Sequence, residues 1–138
     1  MIRGMVRVIP PNPDADDGYF WDGVREERLL LQQCASCGTL RHPPVPMCGV
    51  CHATEWTASE AQGTGTVHSW VVSKPPSALT DPGRVVVLVE LTEGLRIVGN
   101  LVDVEQADVR NEMPVEVCFR DYDGVTLPQF RPAGGGAS

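Results

Sequence analysis

Apolar residues recur with a helical period only once in this chain, near its start, and with a strand-like period through most of its second half. Between Gly18 and about Glu27, Phe20, Trp21 and Val24 fall on one side of a helix while Asp22, Arg25 and Glu26 face outward. Two to three turns are marginal alone, so the aromatic face must dock on this domain or on a partner. Arg28–Gln33 then reads as a strand leading into Cys34, and Thr39–His42 as its return partner before Pro43-Pro44-Val45-Pro46 ends the pairing. From Trp56 onward short strands alternate with Gly, Pro and Asp. The long ones are Thr64–Ser73, Arg84–Leu91 and Leu95–Val102, with Val115–Tyr122 and Val125–Phe130 joined at Asp123-Gly124, a strong hairpin signal. Asp103–Met113, between the third and fourth, has room for one helical turn. Five strands with the longer connection after the third are the layout of an OB-type barrel, with a small sandwich as the alternative.

The segment between the helix and these strands holds the clearest chemistry. Cys34-Ala-Ser-Cys37 and Cys48-Gly-Val-Cys51 are two C-x-x-C knuckles ten residues apart. Four thiolates so spaced can close a tetrahedral shell around one Zn2+, leaving no position for water or substrate, so the metal is expected to hold the fold and do no chemistry. Four cysteinates also suit iron. His42 and His52 lie nearby but are not needed as ligands. A pair of disulfides is the rival reading, disfavoured because C-x-x-C pairs seldom make structural bridges. The expected organisation is mainly β: a flexible arm over 1–17, rich in Pro10, Pro11, Pro13, Asp14, Asp16 and Asp17; the helix and lead-in strand over 18–33; a zinc ribbon over 34–57; a five-stranded OB-fold barrel over 58–131; and a disordered tail over 132–138.

Composition narrows the function. The 138 residues carry 18 acidic and 11 basic side chains, a net charge of −7, the reverse of the positive footprint that phosphate-backbone binding needs. Two Tyr, three Phe and three Trp are few for a base-stacking platform. A nucleic-acid-binding OB-fold is therefore the least favoured reading. Four of five cysteines in metal knuckles, with no apolar leader and no membrane-length stretch, point to the cytoplasm and to no membrane partner. One lysine among ten arginines fits a high-GC bacterial genome.

Catalytic signatures are missing. There is no G-x-S-x-G elbow, phosphate-cradling glycine loop or His-rich metal pattern, and the three histidines are scattered at 42, 52 and 68. Glu90 and Glu93 flank a strand end, where carboxylates are usually solvated. Cys118 alternates with apolar Val117 and Phe119 and has no histidine beside it in sequence, the pattern of a packed thiol rather than a nucleophile. Binding is the better general class.

Phe20-Trp21-Asp22-Gly23, the knuckles with Pro43-Pro44 between them, Gly63-Thr64-Gly65-Thr66-Val67, Val89-Glu90-Leu91-Thr92-Glu93-Gly94-Leu95-Arg96, Met113-Pro114-Val115 and Leu127-Pro128-Gln129-Phe130 occur in that order. Over residues 18–132 the ordered set resembles a bacterial and archaeal family that joins a short helix, a rubredoxin-like zinc ribbon and an OB-fold, formerly a domain of unknown function. Where that family often has Pro-Pro-Arg before the third cysteine and Pro after it, this chain has Val45 and Gly49. The resemblance implies a non-catalytic accessory subunit of a thiolase-fold enzyme, or of a MaoC-like hydratase, acting on acyl-CoA thioesters. One branch of the family serves a retro-aldolase of steroid side-chain degradation. Phe20, Trp21 and Trp56 are the expected partner anchors. Arg41, His42, Lys74 and Arg84 are the expected contacts for acyl-CoA, whose phosphates and pantetheine arm call for a few cations beside an apolar groove. A free-standing acyl-CoA-binding protein is the alternative.

Overall fold

The computed structural model describes residues 17–74 and 83–134. The expected arm, apart from Asp17, and the last four residues of the expected tail lie outside these. Helix α1 spans Gly18–Arg25, with Phe20 and Val24 buried and the exposed Asp22–Arg25 ion pair on its outer side. The helix stops at Arg25, and Glu27 takes a left-handed backbone (φ 62°) that turns the chain into strand β1, Leu30–Cys34. Strand β2, Leu40–Arg41, and strand β3, Trp56–Glu60, flank β1 in the order β2-β1-β3, all antiparallel.

The third strand of this sheet is a finding beyond the sequence reading. Trp56-Thr-Ala-Ser-Glu60 has no apolar alternation, and its strand character comes from β1, whose residues Leu30–Cys34 pair with Glu60–Trp56. The ribbon sheet thus reaches Glu60.

Five strands form a closed barrel, β4-β5-β6-β8-β7: Thr64–Ser73, Arg84–Leu91, Arg96–Leu101, Pro114–Tyr122 (β7) and Val125–Pro132 (β8). This closure is the OB topology and removes the sandwich alternative. A single 3-10 turn, Gln106–Asp108, fills the connection between β6 and β7. At the β7–β8 hairpin Asp123 (φ 56°) and Gly124 (φ 88°) both take positive φ, the backbone a two-residue turn between twisted strands requires. Strand β8 continues to Pro132, and the Ala133 N–H still donates to the Pro114 carbonyl at 3.0 Å, so the barrel holds the chain past the expected break at Pro132.

Alternation on each strand fills the barrel. Val85, Val87, Val89 and Leu91 of β5, Ile97 and Leu101 of β6, Val67, Val115 and Phe130 are all buried. Phe20, Val24, Leu29 and Leu31 belong to the same cluster, so helix and ribbon pack onto the barrel through one continuous core. Gly65 is where β4 crosses closest to β5: a Cβ there would lie 2.3 Å from the Glu90 carbonyl oxygen.

Candidate functional site: a four-cysteine centre beside an apolar groove

The two knuckles converge as their spacing requires. The Sγ atoms of Cys34, Cys37, Cys48 and Cys51 all lie within 4.8 Å of one another, with Cys34–Cys51 at 3.6 Å and Cys37–Cys48 at 3.7 Å. Bonds of ~2.3 Å in a tetrahedron put sulfurs about 3.8 Å apart, so the two short Sγ–Sγ distances match the edges of a zinc tetrahedron and the four lie close enough to share one Zn2+. Backbone amides aim at the sulfurs: Cys37 N–H donates to Cys34 Sγ and Val50 N–H to Cys48 Sγ, each at 3.4 Å. The Cys37 N–H, above all, holds the Cys34 thiol down at about 6. The Ala53 N–H pulls Cys51 the same way, yet the Cys34 sulfur, burial and the other two sulfurs together push it up to about 11. Four thiolates this close require a cation between them. With four sulfurs bound, a zinc ion here has no open position.

Beside the ribbon, α1 and the His42-Pro43-Pro44 turn stand over the outer face of β5, β6 and β8 and enclose a groove of about 410 Å³. Phe20, Trp21, Val98, Leu127 and Phe130 supply much of its apolar wall. Among the described residues, two polar atoms of its lining, His42 Nδ1 and Gln129 Oε1, are buried without a partner, and Gln129 is only 2% exposed. Burial lowers the His42 pKa and so keeps its imidazole neutral. An apolar cleft with a few convergent polar groups is the usual form of a small-molecule site.

Comparison with known proteins matches both halves. The family model described as "ChsH2, rubredoxin-like zinc ribbon domain" matches residues 21–57, and "ChsH2, C-terminal OB-fold domain" matches residues 58–120. A DUF35 domain-containing scaffold protein of Pyrococcus furiosus is 31% identical over 122 residues, 82% of this chain and 90% of that one. This chain belongs to the ChsH2-type DUF35 family. The "Probable enoyl-CoA hydratase alpha subunit" of Thermomonospora curvata is 41% identical over 92% of this chain, and the "3-oxo-4,17-pregnadiene-20-carboxyl-CoA hydratase alpha subunit" of Mycobacterium tuberculosis 37% over 91%. The chain spans only 41% and 40% of the length of these two relatives. Among solved structures, a chain of the "Ltp2-ChsH2(DUF35) aldolase" superposes with a TM-score of 0.82 at 42% identity, covering 89% of this chain and 98% of that one.

Against this DUF35 frame the other expected site residues separate. Arg41 is held inside the ribbon, its Nε donating to Gln32 Oε1 at 2.7 Å and its Nη2 to the Val45 carbonyl at 3.2 Å, so it is not a free cation at a groove rim. Gln32, 1% exposed, also accepts the Val45 N–H at 2.9 Å, which anchors the chain where the family often has arginine. His42 does line the groove. Lys74 and Arg84 are exposed and lie together at the far end of the β4–β5 ladder, next to the Ser73–Arg84 pair and outside the groove lining. The four do not form one cluster.

The aromatic residues separate similarly. Phe20 is 7% exposed and belongs to the protein's own core, because the first turn of α1 aims it at the barrel. Trp21 is half-buried at the groove, its ring edge-on to Phe20 at 5.0 Å. Trp56 is half-buried against Tyr19, ring centroids 4.7 Å apart, and burial pushes the Tyr19 hydroxyl up to about 12. Sequence reasoning missed Gln32, Gln129 and Tyr19. The signal for the first two was a glutamine set in apolar neighbours, Leu29-Leu30-Leu31-Gln32 and Pro128-Gln129-Phe130. No strand pattern assigns such a residue to the inside.

Proposed function

We propose that this chain is a non-catalytic accessory subunit that binds and stabilises a thiolase-fold enzyme, a thiolase or retro-aldolase acting on acyl-CoA thioesters in steroid side-chain degradation. The observation that carries this reading is the match over 98% of the DUF35 chain in a two-component aldolase, at 42% identity. The four-cysteine centre supports it, because a zinc ion with four protein ligands cannot activate water or polarise a carbonyl. The reaction then belongs to the partner. The groove supports a contribution to substrate binding: its apolar wall suits the pantetheine arm, with neutral His42 and Gln129 among the polar side chains of its lining. Lys74 and Arg84 lie together on one hairpin outside the groove lining, and their role toward CoA phosphates is part of the proposal. Zinc is the metal the ribbon takes, and the cytoplasm is the compartment in which four reduced cysteines persist.

The test is native co-purification of the tagged chain from its own organism grown on a sterol or a fatty acid, with co-eluting proteins identified by mass spectrometry. A thiolase-fold enzyme in stable complex is expected. Recovery of the chain alone, or cleavage of a 3-hydroxyacyl- or 3-ketoacyl-CoA by the isolated chain, contradicts the reading. The groove gives a second reading some support, a free-standing acyl-CoA binder. That reading requires calorimetric CoA-thioester binding without a partner, and no heat at high ligand concentration removes it.

A further inference from the structure

Strand β4 is ten residues long, and β5 runs beside it from Gly65 to Ser73. On its other side the cover is shorter. Strand β7 pairs only with Thr64–Thr66, after which the Met113 carbonyl and the Glu112 N–H bond Val67 and the Asn111 side chain caps the His68 carbonyl at 2.6 Å. Beyond His68, among the described residues, no backbone hydrogen bond reaches that edge. Among the described residues, Ser69–Ser73 is therefore a five-residue open edge. Val71 on it is 60% exposed and Val72 37% exposed.

Open edges in soluble proteins normally carry a charge, a proline or a bulge along the unpaired stretch. This one has its bulge at Val67–Ser69, before the open stretch begins, and then reads Ser69-Trp70-Val71-Val72-Ser73 with no charge or proline. The segment is also self-complementary. Antiparallel pairing with a second copy, centred on Val71, sets Ser69 opposite Ser73, Trp70 opposite Val72 and Val71 opposite Val71. The two-fold axis makes the contact isologous, so it closes at two subunits. Val71 pairs across β4–β5 with Val86, so on the outer face of the joined sheet four valines would stand in a row, covering the exposed Val71.

We infer that β4 is a self-pairing edge through which two copies of this chain associate, β4 against β4, independently of any partner enzyme. Five residues a side are far fewer than the roughly 20–30 of a standard interface, so the association is weak and concentration-dependent. The full metal-loaded chain is measured by light scattering and sedimentation over a wide concentration range. A rise toward twice the 15.0 kDa chain mass is expected. Val71→Lys should weaken association tenfold or more, while Met47→Lys, at an exposed apolar residue on the ribbon, should leave it unchanged. Val71→Cys should give a disulfide-linked dimer under mild oxidant. A monomer at every concentration overturns the inference. So does association that Val71→Lys leaves intact, or that Met47→Lys weakens equally, which is generic apolar adhesion. Loss of partner-enzyme binding in Val71→Lys without self-association assigns the edge to the partner and also overturns it.

Discussion

The ribbon and the barrel are both antiparallel sheets, yet opposite kinds of interaction hold them. The barrel's strands close on a continuous apolar interior in which Val67, Val87, Val89 and Val115 have no exposure and Phe130 1%. The ribbon has strands of five, two and five residues, and β2 contributes only two pairs. Around its knuckles Val45, Met47 and Val50 point to solvent at 40%, 50% and 69% exposure. A segment that buries so little cannot offset its ordering entropy by the hydrophobic effect, and coordination of four sulfurs takes that place. The root of the ribbon, Leu29 and Leu31, belongs to the barrel's core, and Leu40 of β2 packs against it. The difference teaches that the chain has a stable platform and a metal-set head.

The comparison can be broken from either side. Cys34→Ser should have the largest effect: structural zinc contributes about 10–16 kcal/mol in small zinc domains, and the variant should lose stoichiometric zinc and order in the knuckles, read by metal analysis and NMR. Phe130→Ala attacks the barrel instead and should cost about 3–5 kcal/mol in denaturant unfolding while the metal stays bound. Gly65→Ala forces the crossing strands apart, since the new Cβ meets the Glu90 carbonyl, and should cost about 1–3 kcal/mol. Gln32→Ala leaves Arg41 Nε and the Val45 N–H without their acceptor and should cost a similar ~1–3 kcal/mol, with Gln32→Glu restoring much of it. The smallest effect belongs to His42. Its pKa is lowered in the fold by burial, so the unfolded chain binds more protons, and stability present above the ordinary histidine value of 6.5 falls as pH drops below it. His42→Phe should flatten that part of the pH–stability curve relative to wild type.

The same contrast sets how much was legible in the sequence. Local chemistry was: the spacing of the two knuckles predicts the convergence of four cysteines, Asp123-Gly124 fixes the β7–β8 turn, and Thr64–Ser73 and the nearly unbroken apolar run Arg84–Leu91 are strands with the bounds expected. Strand β3 was not assigned to the ribbon, because its register comes from β1, more than twenty residues away. Nor could the groove be read, since α1, the His42-Pro43-Pro44 turn and β8 meet only in the folded chain. Arg41 read as a surface cation because sequence shows its charge but not the Gln32 acceptor beneath it.

One measurement tests the division most directly: residue-resolved amide exchange of the metal-loaded protein, before and after chelation. The account predicts that residues 34–51 lose protection on chelation, while Val67, Val87, Val89 and Val115 keep theirs. Retained protection across the knuckles without metal, or loss of the barrel's protection together with the ribbon's, would contradict it.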